Sequence, residues 1–196
     1  MLKVKTAVLV SGGGTNLQAL IDAEKREDMP HAELKLVVSN KAGAYALTRA
    51  ENAGIRAEYV ENDAAFEPRL ISLLEENGIE LIVLAGFLRI LSGAFINRFE
   101  GRIINVHPSL IPSFCGKGFY GLKVHEAALA RGVKVTGATV HVVTEEADAG
   151  PILLQKAVEI TENDTPESLQ KRVMEQAEWK LLPRACELIA KSILEA

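Results

Sequence analysis

The chain has 196 residues, 48% of them hydrophobic and 24% charged, and a formal net charge of −4. These proportions suit a globular chain with one substantial core and exclude collagen-like, disordered and disulfide-scaffold sequences. No basic block follows a phosphate backbone, no basic amphipathic stretch suits a membrane surface, and no apolar run reaches the ~20 residues that span a bilayer, so neither nucleic acid nor membrane is expected as a partner.

In chain order, Val4–Val10 is an apolar run of strand length that ends in Ser11-Gly12-Gly13-Gly14-Thr15-Asn16. It lacks the length of a signal peptide. Residues 16–27 follow with Leu17, Leu20 and Ile21 at helical spacing. Further strand-length runs lie at 34–38 and, more weakly, at 55–60. A helix over 67–77 stops at Asn77-Gly78, and Leu81–Leu84 is the fourth strand. Residues 102–107 give a fifth strand, 122–130 a short helix before Gly132, and 133–143 and 152–160 the last two strands. Thr165 and Pro166 supply an N-cap and a first helical position, so a final helix is expected from there toward residue 196, broken at Pro183.

The first, second and fourth runs are apolar on both faces, the mark of a parallel sheet covered on both sides. The short segment 144–150 suits an antiparallel pair between the last two strands. The expected fold is therefore α/β, a Rossmann-like, mainly parallel mixed sheet of about seven strands with helices on both faces. Cys115 and Cys186 lie far apart without a CxxC, and read as free thiols in a reducing cytoplasm.

Three features carry chemistry. Glycines after the first strand let the backbone turn tightly, and free N–H groups at the following helix start favour an anion such as a phosphate. Leu17 stands where a dinucleotide fingerprint needs its third glycine, Ser39-Asn40 stand where an acidic ribose ligand would end strand two, and no Lys-Ser/Thr follows for a P-loop. The same glycines also suit a tight turn with no ligand. Secondly, Asn105 and His107 occupy alternate positions near the C-terminal end of a strand, so they share a face, while Ile104 and Val106 point into packing. An Asn amide and a protonated His can both donate to a developing oxyanion, and His can also pass a proton. A hydrogen-bonded histidine at a strand end fits the same spacing. Thirdly, Asp148 lies in a turn, where acidic residues are commonly just solvated. Beside His107 its carboxylate would instead favour the protonated ring and hold its orientation. His31, His125 and His141 have no short ligand spacing, so no metal is expected. Ser109 lacks the GxSxG elbow of a serine hydrolase.

Taken together, SGGGTN, LAGFLRIL from Leu84 to Leu91, INVHPSLIP from Ile104 to Pro112, and ADAGPIL around Asp148 resemble the phosphoribosylglycinamide formyltransferase family over essentially the whole chain. The resemblance implies one formyltransferase domain over 1–196, with nucleotide phosphate bound by the N-terminal part and folate binding and catalysis in the C-terminal part. It implies 10-formyltetrahydrofolate as co-substrate, glycinamide ribonucleotide as acceptor, no metal and small-molecule partners only; a monomer and a weak homodimer fit the sequence equally well. It makes Asn105, His107 and Asp148 the catalytic trio. It assigns Gly14, Thr15, Asn16, Leu88, Pro108 and Glu178 to the ribonucleotide, with Glu178 on its ribose. It assigns Leu88, Arg89, Ile90, Leu91, Asn105, Val143 and Asp148 to the folate, and implies a cis bond at Ile111-Pro112. Residues 113–121 form a longer loop than the family pattern, Trp179 stands where a His is common, and the folate-contacting Arg has no clear match, Arg69 being the nearest. Two relatives share the Asn–His–Asp chemistry. Methionyl-tRNA formyltransferase carries a further C-terminal domain and formyltetrahydrofolate hydrolase a further N-terminal one. A nucleotide-binding module without catalysis is the alternative from another class.

Overall fold

A computed structural model describes residues 2–196. Seven strands, β1 (Val4–Val10), β2 (Ala32–Ser39), β3 (Arg56–Tyr59), β4 (Leu81–Leu84), β5 (Ile103–His107), β6 (Val135–Val142) and β7 (Ile152–Glu159), form one sheet in the order β3-β2-β1-β4-β5-β6-β7. The pairs from β3 to β5 are parallel, and β5–β6 and β6–β7 are antiparallel. The helices are α1 (Thr15–Lys25), α2 (Tyr45–Asn52), α3 (Phe66–Glu76), α4 (Gly93–Arg98), α5 (Leu122–Arg131), α6 (Pro166–Val173) and α7 (Trp179–Glu195). The sheet is mixed, as the short connection 144–150 leads one to expect. It also turns antiparallel one strand earlier, at β5–β6.

The two faces of the sheet build two cores. One joins Val8, Val10, Ile104 and Val106 to Leu17, Leu20, Leu169 and Leu182. The other joins Leu9, Val38, Ile82 and Ile103 to Phe66, Leu70 and Phe95. All four residues of β4 are buried, because helices cover both of its faces.

Two helices carry no periodicity that would announce them. Helix α2 buries only Ala46 and Ala50, side chains too small to mark an apolar stripe. Helix α4 has six residues and starts on Ser92, whose Oγ accepts the Phe95 N–H. Thr165 caps α6 as expected, in a reciprocal box with Ser168. The expected break at Pro183 is absent, since α7 runs through it. The irregularity lies upstream, in a π turn over Met174–Glu178. That turn ends just before Trp179, four residues ahead of Pro183.

Candidate active site

A cleft of about 530 Å³ opens at the C-terminal ends of β4 and β5, within the usual range for small-molecule sites. Its walls come from β5, the loop after β4, the loop 116–121, α5, and the α6–π turn segment. Asn105 and His107 project from β5 on the face opposite Ile104 and Val106, and β6 sets His141 and Thr139 directly across from them.

His107 is buried, with both ring nitrogens facing acceptors. Nδ1 lies 3.5 Å from Asp148 Oδ2, and Nε2 lies 2.8 Å from the Phe114 carbonyl. Phe114 adopts φ +50°, a left-handed conformation that a bulky residue takes only when its surroundings impose it. Asp148 is also left-handed, at φ +57°. Its loop docks on β6 through Gly150, where a Cβ would stand 1.8 Å from the Val142 carbonyl oxygen. The Gly116 N–H donates to Asp148 Oδ2 at 2.8 Å. Burial works against the Asp148 charge. The contacts with His141 and His107 and the Gly116 N–H outweigh it and hold the carboxyl below its usual range.

His141 fixes the third group. Its Nδ1–H donates to the Val142 carbonyl at 2.9 Å, and its Nε2 lies 3.2 Å from Asn105 Nδ2. That contact occupies at most one Asn105 amide hydrogen, and the other is left for a ligand. Nε2 also stands 3.5 Å from Asp148 Oδ1, too long for a close hydrogen bond. After β5, Thr139 Oγ1 donates to the Ser109 carbonyl at 2.7 Å and accepts the Ile111 N–H at 3.1 Å. This clasps the turn that contains the Ile111-Pro112 bond, which is cis as the resemblance implies.

On the other wall, Asn16 Nδ2 donates to Glu178 Oε2 at 2.7 Å. Glu178 is buried, and burial, only partly offset by Asn16, pushes its carboxyl up to about 7. Its position on the π turn carries it into the cleft. The loop after β4 is held by Ser11, whose Oγ accepts the Leu88 N–H at 2.9 Å and donates to Asn40 Oδ1 at 2.8 Å. Asn40, noted in the sequence only for not being acidic, is thus a buttress of this loop. Arg89 lies over the Phe66 ring and bonds Asn62.

The structure brings Asn105, His107, Asp148, Asn16, Leu88, Arg89, Ile90, Pro108 and Glu178 to the cleft, and leaves four expected site residues outside its lining. Gly14 is left-handed at the start of α1, with its Cβ position 2.7 Å from the Ala46 methyl, so it serves close packing of α2. Thr15 turns its hydroxyl to Met174 Sδ. Leu91 is buried in the core with Phe95, and Val143, one residue past the end of β6, packs against that core too. Arg69 bonds Asp63 and the Glu61 carbonyl, away from the cleft. Sequence reasoning missed His141, the Phe114 carbonyl and the Gly116 N–H as parts of the constellation. His141 was detectable only through its shared face with Thr139, and the two backbone groups have no side-chain signature. Among the described residues no group of three or more His, Cys, Asp or Glu is placed to hold a metal, and no helix is long and apolar enough to cross a membrane.

An α/β sheet with an Asn–His–Asp constellation at its parallel-to-antiparallel junction defines a class, and residues 4–186 match the formyl transferase family; the chain belongs to that family. Within it, the chain is 48% identical over 198 residues to the trifunctional purine biosynthetic protein adenosine-3 of Gallus gallus, an alignment covering 98% of this chain and 19% of that protein. The chain spans less than a fifth of that relative's length. Among solved structures, glycinamide ribonucleotide transformylase 1 of Symbiobacterium toebii superposes with a TM-score of 0.90 at 39% identity, covering 97% of this chain and 89% of that one. Phosphoribosylglycinamide formyltransferase of Brucella melitensis does so with a TM-score of 0.86 at 41% identity, covering 96% of each.

Proposed function

We propose that this chain, as one formyltransferase domain over residues 1–196, transfers the formyl group of 10-formyltetrahydrofolate to the amine of glycinamide ribonucleotide. The products are formylglycinamide ribonucleotide and tetrahydrofolate, and the step belongs to purine biosynthesis. The observation that carries the reading is the convergence of Asn105, His107 and Asp148 on one wall of the cleft. The names and close similarity of the relatives support the substrate pair.

The amine attacks the formyl carbon, and negative charge develops on the formyl oxygen. Asn105 offers that oxygen its free amide hydrogen. Protonated His107 offers Nε2–H, which passes from the Phe114 carbonyl to the reacting oxygen. The ring then supplies the proton that the departing folate nitrogen takes up as its bond to carbon breaks, and the attacking amine gives up one proton. Asp148, ionised and held by the Gly116 N–H, stabilises the imidazolium and fixes the ring. Two directed N–H donors thus do the polarising, and the reading uses no metal. Glu178 and Asn16 bind the ribose, the N–H groups that open α1 at Thr15 and Asn16 meet the phosphate, and Pro108 borders the glycinamide. The exposed Leu88 and Ile90, with Arg89 between them, offer an apolar and cationic rim to the folate. Both cysteines are free, in keeping with a cytoplasmic enzyme, acting as a monomer or weak dimer on small molecules alone.

A coupled absorbance assay with and without the ribonucleotide tests the reading. Tetrahydrofolate release that requires the ribonucleotide is expected. Release without it would make the chain a hydrolase, and no release from folded protein would leave a binding module.

A further inference from the structure

Unmet polar atoms concentrate at the cleft. Among the described residues, six buried side-chain nitrogens or oxygens lack a hydrogen-bond partner, and four of them belong to residues lining it: Asn16 Oδ1, Arg89 Nε and both ring nitrogens of His125. Asn16 and Arg89 each bond through another atom of the same side chain. His125 bonds through none, although it is 0% exposed. Each unmet buried polar group costs about 1–3 kcal/mol. A position flanked on α5 by buried Val124 and Ala128 could hold Leu or Phe at no such cost. An imidazole kept there with both nitrogens unmet is arranged for something that enters the cleft.

We propose that His125 is a binding residue for the ribonucleotide substrate, its neutral imidazole donating one hydrogen bond and accepting another from hydroxyl or amide groups in the cleft. The assignment rests on the transferase reading above. Helix α5 packs on α6, which continues into the π turn, so His125 belongs to the wall that carries Gln170 and Glu178. Leu88 and Ile90 stand on a different element, the loop after β4. A sugar hydroxyl or a secondary amide contains both donor and acceptor, the complement of a neutral imidazole. Burial, and secondarily the charge on His107, bring the His125 ring down to about 4. His125 therefore stays neutral near pH 7, as an imidazole that both donates and accepts must.

The test combines ring-¹⁵N NMR of the intact chain, with and without glycinamide ribonucleotide and no folate present, with steady-state kinetics of His125→Gln and His125→Phe. The His125 signals are assigned by their loss in the Gln variant. Addition of the ribonucleotide is expected to move them. His125→Phe should raise KM for the ribonucleotide about 10- to 100-fold, the effect of losing one or two hydrogen bonds, with KM for the folate within about two-fold and partial rescue by Gln. Ring signals indifferent to saturating ribonucleotide would overturn the proposal, as would a KM change confined to the folate or no change in either. If the Phe variant does not fold, the wild-type NMR titration decides by itself, movement of the ring signals supporting the proposal and indifference overturning it. Absence of ribonucleotide-dependent turnover in the wild type would instead defeat the transferase reading, a separate outcome.

Discussion

Strands β1, β2 and β4 and strands β5 and β6 belong to one sheet but follow different rules. The interior positions of the first group hold Val, Leu, Ile and Ala, with only the small hydroxyls of Thr6 and Ser39 among them. The second group alternates, with Ile104 and Val106 in the core and Asn105, His107, Thr139 and His141 facing the cleft side. The parallel region is a platform that obtains stability from burial on both faces. At the junction, one face of β5 gives up apolar packing to present polar groups, and an antiparallel neighbour pairs each with another polar side chain. Stability and chemistry are thereby placed on different strands, and substitutions can separate them.

The largest expected effect is on the platform. Leu9→Ala should cost about 2–5 kcal/mol of unfolding free energy in urea melts, with kcat per folded molecule unchanged. A fall in kcat without loss of stability would erase the distinction between the two regions. On the polar face, Asn105→Ala or His107→Ala should each lower kcat about 100- to 1000-fold while the melting temperature stays near wild type. Intact turnover in both would remove β5 from the chemistry. Glu178 sharpens the comparison from the other wall. Its folded-state pKa lies near 7, above the ordinary carboxyl value, so the native state keeps a proton that the unfolded chain has released. Stability should therefore fall as pH rises from about 4.5 to 7, by on the order of 3 kcal/mol. Glu178→Gln should flatten that slope, and urea midpoints at pH 5 and pH 8 measure it. Smallest, Thr165→Ala at the start of α6 should cost about 1 kcal/mol and leave KM and kcat alone, as a cap outside the cleft should.

The legible parts of this molecule are those where a side chain reports its own environment. The doubly apolar runs announce β1 and β4, the alternation around Asn105 and His107 announces the polar face, and Thr165-Pro166 announces a helix start. The illegible parts depend on partners that sequence does not name. Helix α2 packs through alanines, so it has no visible stripe. The pairing of Asn105 with His141 depends on strand register, which one chain's pattern leaves open. The Phe114 carbonyl and the Gly116 N–H are backbone groups whose direction is set by left-handed residues in the loop between β5 and α5. Leu91 lies in a segment that resembles a folate wall, yet its apolar side chain is better buried beside Phe95.

The π turn at Met174–Glu178 sets a rule for how the chain can change in length. A π turn holds one residue more than the α turn it replaces. Deleting one of those five residues would restore an ordinary helix with its backbone hydrogen bonds available and with α6 and α7 still in phase, because the wider turn had absorbed the extra residue. Helix α6 would keep its grip on the core through Leu169 and Val173, and only side chains of the turn itself would be re-aimed, Glu178 and its bond to Asn16 among them. Over this stretch the helix works as a slack link, in which one residue fewer leaves both ends aligned and moves only what the link itself carries.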